Sequence, residues 1–193
     1  MNFERSPVLS AMRRVLGFVW VLSIIGTVTL AAAILVIAIR QEPLPGDFLL
    51  GLGWWGPGIT LSIPGSMFSS DLGRQALLMM LGFTLASAPV LLLILRELRG
   101  ALGDTAARTP FTMENARRIR HIGFATLAGA VIVNIRDFTF ASFLMKNVHI
   151  PGVDIGVRAS LGLETIGLGA LILLLGEIFR YGVLLQEEHD STV

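Results

Sequence analysis

Three ionisable side chains stand where an apolar stretch ought to hold none. Arg136 and Asp137 interrupt the run from Ile122 to Met145, and Glu164 lies near the start of the next run. A charge in hydrocarbon costs roughly 2.5–3.5 kcal/mol or more, so each must face other protein or a wet cavity. Arg136 falls in the outer half of its segment, where a long guanidinium can reach toward Glu164. Asn134 and Asp137 are spaced to share one helical face. Two readings fit this set. One is a polar pocket, open to the outside, that binds a small solute or signal. The other is an interhelical salt bridge that fixes the packing of the third and fourth helices.

A second group of charges gathers at what should be the opposite face. Arg117, Arg118 and Arg120 form a basic cluster, and Glu177 with Arg180 is spaced for a local ion pair at a membrane edge. Glu177 and Arg180 can also join that cluster to the tail. The tail is acidic, with Glu187, Glu188 and Asp190 following the apolar Val183-Leu184-Leu185. Acid and base at one face can clamp together or dock a soluble partner, or the tail can be a plain solvated terminus. Exposed ion pairs contribute only ~0–1 kcal/mol each, so such a clamp would be weak and switchable.

Several chemistries lack their residues. The chain has no cysteine, which removes disulfides, iron–sulfur ligation, thiolate zinc sites and thiol–disulfide relays. His121, His149 and His189 fall at the inner face, the outer loop and the tail, and cannot converge on one metal. His189 with Glu187 and Asp190 in a flexible tail is a weak zinc pattern. A serine nucleophile needs a base, and no histidine lies within an apolar span. Arg136 beside Asp137 and Glu164 argues for ionised partners rather than a carboxylate pair with split pKa values. No glycine precedes the Lys-Ser/Thr pair of a phosphate loop. The expectation is a protein that is not an enzyme and uses no cofactor, metal or direct nucleic-acid contact.

The elements that must position these residues follow from hydropathy. The 193-residue chain is 53% hydrophobic and only 15% charged, with a mean hydropathy of +0.73. A soluble domain carries about 25% charged residues. About 20 apolar helical residues cross a bilayer core of ~30 Å, and four stretches qualify: 15–39, 75–95 with Pro89 as a tolerated kink, 121–145 and 160–181. The first resembles a signal peptide, with Ala31-Ala32-Ala33 after Arg13 and Arg14. Its apolar run is too long for a cleavable core of roughly 7–15 residues, so it reads as a retained helix.

Arginine placement orients the bundle. With the N-terminus inside, the cytoplasmic side holds Arg5, Arg13, Arg14, Arg96, Arg99, Arg108, Arg117, Arg118, Arg120 and Arg180. The outer side holds Arg40, Arg74, Lys146 and Arg158. Both termini are therefore expected in the cytoplasm. The outer loops, 40–74 and 146–159, alternate apolar and polar residues. Ile59, Leu61 and Ile63 alternate with Thr60 and Ser62, and Val153, Ile155 and Val157 follow the Pro151-Gly152 turn. This pattern predicts that the two loops pair into a small β cap, against irregular loops with Trp54-Trp55 in an interfacial belt. The cytoplasmic connection, 96–120, contains an expected Gly100–Asp104 break. Thr109 or Thr112 suits a helix N-cap, Pro110 a first helical position, and Glu114 the positive end of the helix dipole. Arg117, Arg118 and Arg120 then lie at headgroup level, each attracted to anionic lipid by about 1 kcal/mol. Gly162, Gly167, Gly169 and Gly176 fit close helix packing in the fourth segment.

Two segments carry a resemblance. The stretch from Thr109 to Gly123, TPFTMENARRIRHIG, and the closing stretch from Glu177 to Val193, EIFRYGVLLQEEHDSTV, resemble the signatures of a bacterial membrane family known only as domain of unknown function 2975. The resemblance covers the last half of the chain in sequence and the first half in hydropathy. It implies no catalytic residue. It implies by association a link to small helix-turn-helix regulators, beside which members are often encoded.

The fold expected is an all-α four-transmembrane-helix bundle in the inner membrane of a bacterium, with a β cap and a cytoplasmic tail, 182–193. The leading function is a regulatory or sensory membrane partner that binds a cytoplasmic protein. The alternatives are a small-solute transporter or channel subunit, built by homo-oligomerisation around Arg136, Asp137 and Glu164, and an immunity or envelope-stress protein.

Overall fold

A computed structural model describes residues 7–39, 54–56, 59–61, 70–106, 112–147 and 162–191. They form α1 (Pro7–Ile39), β1 (Trp54–Gly56), β2 (Ile59–Leu61), α2 (Ser70–Ala106), α3 (Met113–Asn147) and α4 (Leu163–Ser191). Among the described residues, four helices are long and apolar enough to cross a membrane. At ~1.5 Å per residue, helices of 33, 37, 35 and 29 residues outreach a hydrocarbon core of ~30 Å. In a bilayer their ends would project into headgroups or water.

This length corrects one expectation. No break interrupts α2 at Gly100–Asp104; the helix runs unbroken to Ala106. Two glycines cost a helix only about 1 kcal/mol each, and Gly100 has a packing use described below. The connection between α2 and α3 is correspondingly short.

The apolar surfaces face outward. In α1 the most apolar window has no buried residue, and Val15, Phe18, Val28 and Ile39 are each more than half exposed. A helix apolar all round needs a core or hydrocarbon to cover it. Two of its hydroxyls bond back to the helix. Ser23 Oγ donates to the Val19 carbonyl at 2.8 Å and Thr27 Oγ1 to the Ser23 carbonyl at 2.7 Å. Thr84 and Thr126 do the same to Met80 and Ile122. Such back-bonding satisfies these four hydroxyl donors without water.

By internal contacts the chain divides into two units. The first comprises residues 1–28, 87–132 and 161–193, and the second 29–86 and 133–160. In the first, α3 runs antiparallel to both neighbours. Against α4, Arg120 meets Glu177 and Gly176, Gly123 meets Leu173, and Leu127 meets Gly169. Against α2, Arg118 meets Gly100, His121 meets Glu97, and Gly129 meets Val90. Ala116, Ala125, Ala130, Leu95 and Val183 are its buried apolar residues. The glycines explain the closeness. A Cβ on Gly169 would lie 2.7 Å from Leu127 Cδ2, and one on Gly123 2.7 Å from Leu173 Cδ2. Gly167, also expected at a helix contact, has nothing within 4 Å.

In the second unit, Ala76, Leu77, Phe140 and Ala141 are buried. Its strands pair antiparallel, with Trp54 opposite Leu61, Trp55 opposite Thr60 and Gly56 opposite Ile59. Pro57-Gly58 joins them in the sequence. The second outer stretch, 148–159, lies outside the described residues, as does any pairing of the two loops into one cap.

Candidate functional site

The polar residues with the richest surroundings lie in the first unit, where α3 begins. Thr112 starts that helix. Its Oγ1 accepts the Asn115 N–H at 3.2 Å, and its carbonyl accepts the Ala116 N–H at 3.1 Å. This is N-capping geometry, and it selects Thr112; Thr109 and Pro110 lie outside the described residues. Glu114 sits in the first turn, at the positive end of the dipole. The amphipathic sequence then rotates arginines onto different faces. Arg117 and Arg118 both turn back to Glu114, at 3.7 and 3.4 Å. The Arg118 guanidinium also fills the space that a side chain at position 100 would need. Gly100 is a slot for it. Here the sequence offered a glycine and suggested a break, whereas the real reason is across the interface.

One turn further, Arg120 points at α4. Its Nη1 donates to Glu177 Oε1 at 3.2 Å, while Arg180 Nε donates to Glu177 Oε2 at 2.7 Å. Glu177 thus holds two guanidiniums, one per oxygen. The expected local pair of Glu177 and Arg180 is present, and Arg120 links it to the basic cluster. Gly176 permits the approach. A Cβ there would lie 2.8 Å from Arg120 Cγ and 3.2 Å from its backbone nitrogen. The Arg120 Nε is buried and finds no acceptor among the described residues.

Three contacts at this end had no clear sequence signal. His121 Nδ1 lies 3.5 Å from Glu97 Oε1, an ion pair whenever the imidazole is protonated. Arg99 stacks over Trp20, 5.0 Å from the ring centroid, and Arg180 over Tyr181 at the same distance. Only knowledge of how the antiparallel helices align could have brought Glu97 to His121. The aromatic stacking follows from guanidinium planarity, but needs the same alignment for Trp20. Asn115 is the buried polar residue of the set.

The tail is helical. α4 continues to Ser191, with Glu187, Glu188 and His189 exposed. Asp190 lies in the helix, and its side chain is outside the described residues. Carboxylates at a helix C-terminus oppose the dipole by about 0.3–1 kcal/mol each. An outside cation or partner would relieve that.

Within the second unit, Arg136 has a partner beside it in the chain. Arg136 curls onto its own neighbour. Its Nε and Nη2 lie 2.9 and 2.8 Å from Asp137 Oδ1. The second unit contains this pair and Asn134. Glu164 belongs to the first unit, exposed in the first turn of α4. Its place at the positive end of that dipole is favourable in itself. The Arg136 guanidinium is thus neutralised locally by the adjacent carboxylate. Among the described residues, no three of His, Cys, Asp and Glu gather closely enough to hold a metal ion.

No curated protein and no solved structure matches the chain. One family does, that described as "Protein of unknown function (DUF2975)", over residues 69–193. The match runs from the residue before α2 to the last valine and takes in every member of the arginine–glutamate network except Trp20. The chain belongs to this family.

Proposed function

We propose that this protein is a non-catalytic, multi-pass protein of a bacterial inner membrane that holds and releases a soluble cytoplasmic regulator. Both termini lie in the cytoplasm, because ten arginines fall on that side against three arginines and a lysine outside. The outer loops form a small β cap that perceives the signal. The observation that carries the reading is the network at the start of α3. It ties α2 to α3 through His121 and the largely covered Glu97 and α3 to α4 through the half-exposed Arg120–Glu177 pair, with the exposed Arg117–Glu114 pair and a helical acidic tail beside it. Each such pair contributes ~0–1 kcal/mol, so a charged partner can exchange with them at little cost. The partner is a small protein with acidic and basic patches of its own, such as a helix-turn-helix regulator. Arg136 is already neutralised by Asp137, which favours a binding role over a solute path.

Co-purification from mild detergent tests this. The full-length chain should retain a small soluble helix-turn-helix regulator of the same cell, identified by mass spectrometry, and the chain ending at residue 182 should lose it, as should Arg117→Glu. Equal retention by all three ends the proposal. Reporter fusions that place residue 108 and residue 193 on opposite faces end the orientation.

A further inference from the structure

We infer that the fork of Arg120, Glu177 and Arg180 binds the phosphodiester of an anionic phospholipid at the membrane face. The charge count is the first reason. One carboxylate holds two guanidiniums, at 3.2 and 2.7 Å, and guanidinium does not deprotonate in proteins. The fork therefore keeps one positive charge. A phosphodiester carries one negative charge, and its oxygens suit the fork geometry of arginine. A zwitterionic headgroup brings its own cation and leaves the fork unbalanced.

Accessibility is the second reason. The three side chains are 38–40% exposed, open to a ligand yet partly screened from water. Attraction between charges is stronger there than on an open surface.

The third reason is what surrounds the fork. Arg180 lies over the Tyr181 ring, and Tyr181 is 59% exposed. An amphipathic ring of this kind belongs at headgroup level. Leu171, Leu174, Ile178, Tyr181 and Leu185 are spaced three or four apart along α4, and each is at least 58% exposed. They form one apolar stripe that passes the fork and continues through Tyr181 to Leu185. A phosphate at the fork would send its acyl chains along this stripe. The second fork, Glu114 with Arg117 and Arg118, lies on a single helix, with Arg117 65% exposed. That fork serves as an internal control.

The inference rests on the membrane placement proposed above and not on a soluble partner. Loss of regulator capture with lipid selectivity intact would remove the function and spare this site, and the converse result would do the reverse.

Native mass spectrometry of the full-length protein in mild detergent tests it, titrating phosphatidylglycerol against phosphatidylcholine with matched chains. One phosphatidylglycerol should bind in preference. Each arginine removed from the fork should weaken it about fivefold, so that R120Q/R180Q loses the preference. E177Q should tighten binding, because the competing carboxylate is gone. R117Q/R118Q should leave it unchanged. Equal binding of the two lipids, or an equal loss in R117Q/R118Q, overturns the site. Competition by glycerol 3-phosphate at the lipid's own concentration shows a free-phosphate site and overturns the lipid assignment. Should R120Q/R180Q fail to fold, the opposite shifts expected of R180Q and E177Q still decide.

Discussion

Two arginines of one helix solve the same problem in opposite ways. Arg120 reaches across to α4 and shares Glu177 with Arg180, whereas Arg136 folds back onto Asp137, its neighbour in the chain. The contrast follows from solvent. At a helix end bathed by headgroups and water, an unpaired guanidinium costs little, so its pairing is free to connect helices. Within an apolar span the same group needs a counter-charge at once. An adjacent carboxylate supplies it before any tertiary contact forms. Interhelical pairs link elements, while a pair between neighbours merely makes a span insertable.

The sharpest way to break this comparison is to strip Arg136 of its partner. Asp137→Ala should destabilise the protein in bilayers by about 2.5–3.5 kcal/mol, the cost of an uncompensated charge at depth. Arg136→Leu combined with Asp137→Ala should recover most of the loss, as read by reversible unfolding in bicelles. A double variant as unstable as Asp137→Ala alone would show that the pair does more than cancel itself.

A smaller effect tests the other arginine. Gly176→Leu forces atoms against Arg120 Cγ and its backbone nitrogen. Overpacking of this kind costs about 1–3 kcal/mol. Gly167→Leu, with open space around it, should change thermal stability little. If the two behave alike, α3 and α4 are not held together at the Arg120 level.

The smallest expected effect concerns the cap that sets the rotation of the whole cluster. Thr112→Ala should lose about 1 kcal/mol, and Thr112→Ser should lose almost none. Amide exchange at Asn115 and Ala116 should speed up in Thr112→Ala alone. Unchanged exchange would mean that α3 starts elsewhere.

Much of the architecture was legible in the residues. Four apolar stretches became four long helices, Thr112 capped where a cap was expected, and Glu177 met Arg180 at a spacing of three. Each of these depends on interactions within one turn or one span, which local sequence encodes. The Gly100–Asp104 break was misread because a glycine looks the same whether it ends a helix or admits a neighbour. The pairing of Arg136 with Asp137 is not legible from helical spacing, although the two stand side by side. Adjacent residues of a helix project about 100° apart, yet a long side chain can cover that angle.

Composition and order alone determined that this chain has four helices suited to hydrocarbon and where its arginines concentrate, and narrowed the start of its third helix to Thr109 or Thr112. Those outcomes follow from transfer free energies and capping, both of which act locally. Which carboxylate each arginine holds was decided only by the packing of antiparallel helices. Glu97 with His121, Glu177 with Arg120, and Gly100 beneath Arg118 depend on a rotation and an offset between neighbours. No single segment carries that information, because it arises from how two surfaces of small and large side chains come into contact.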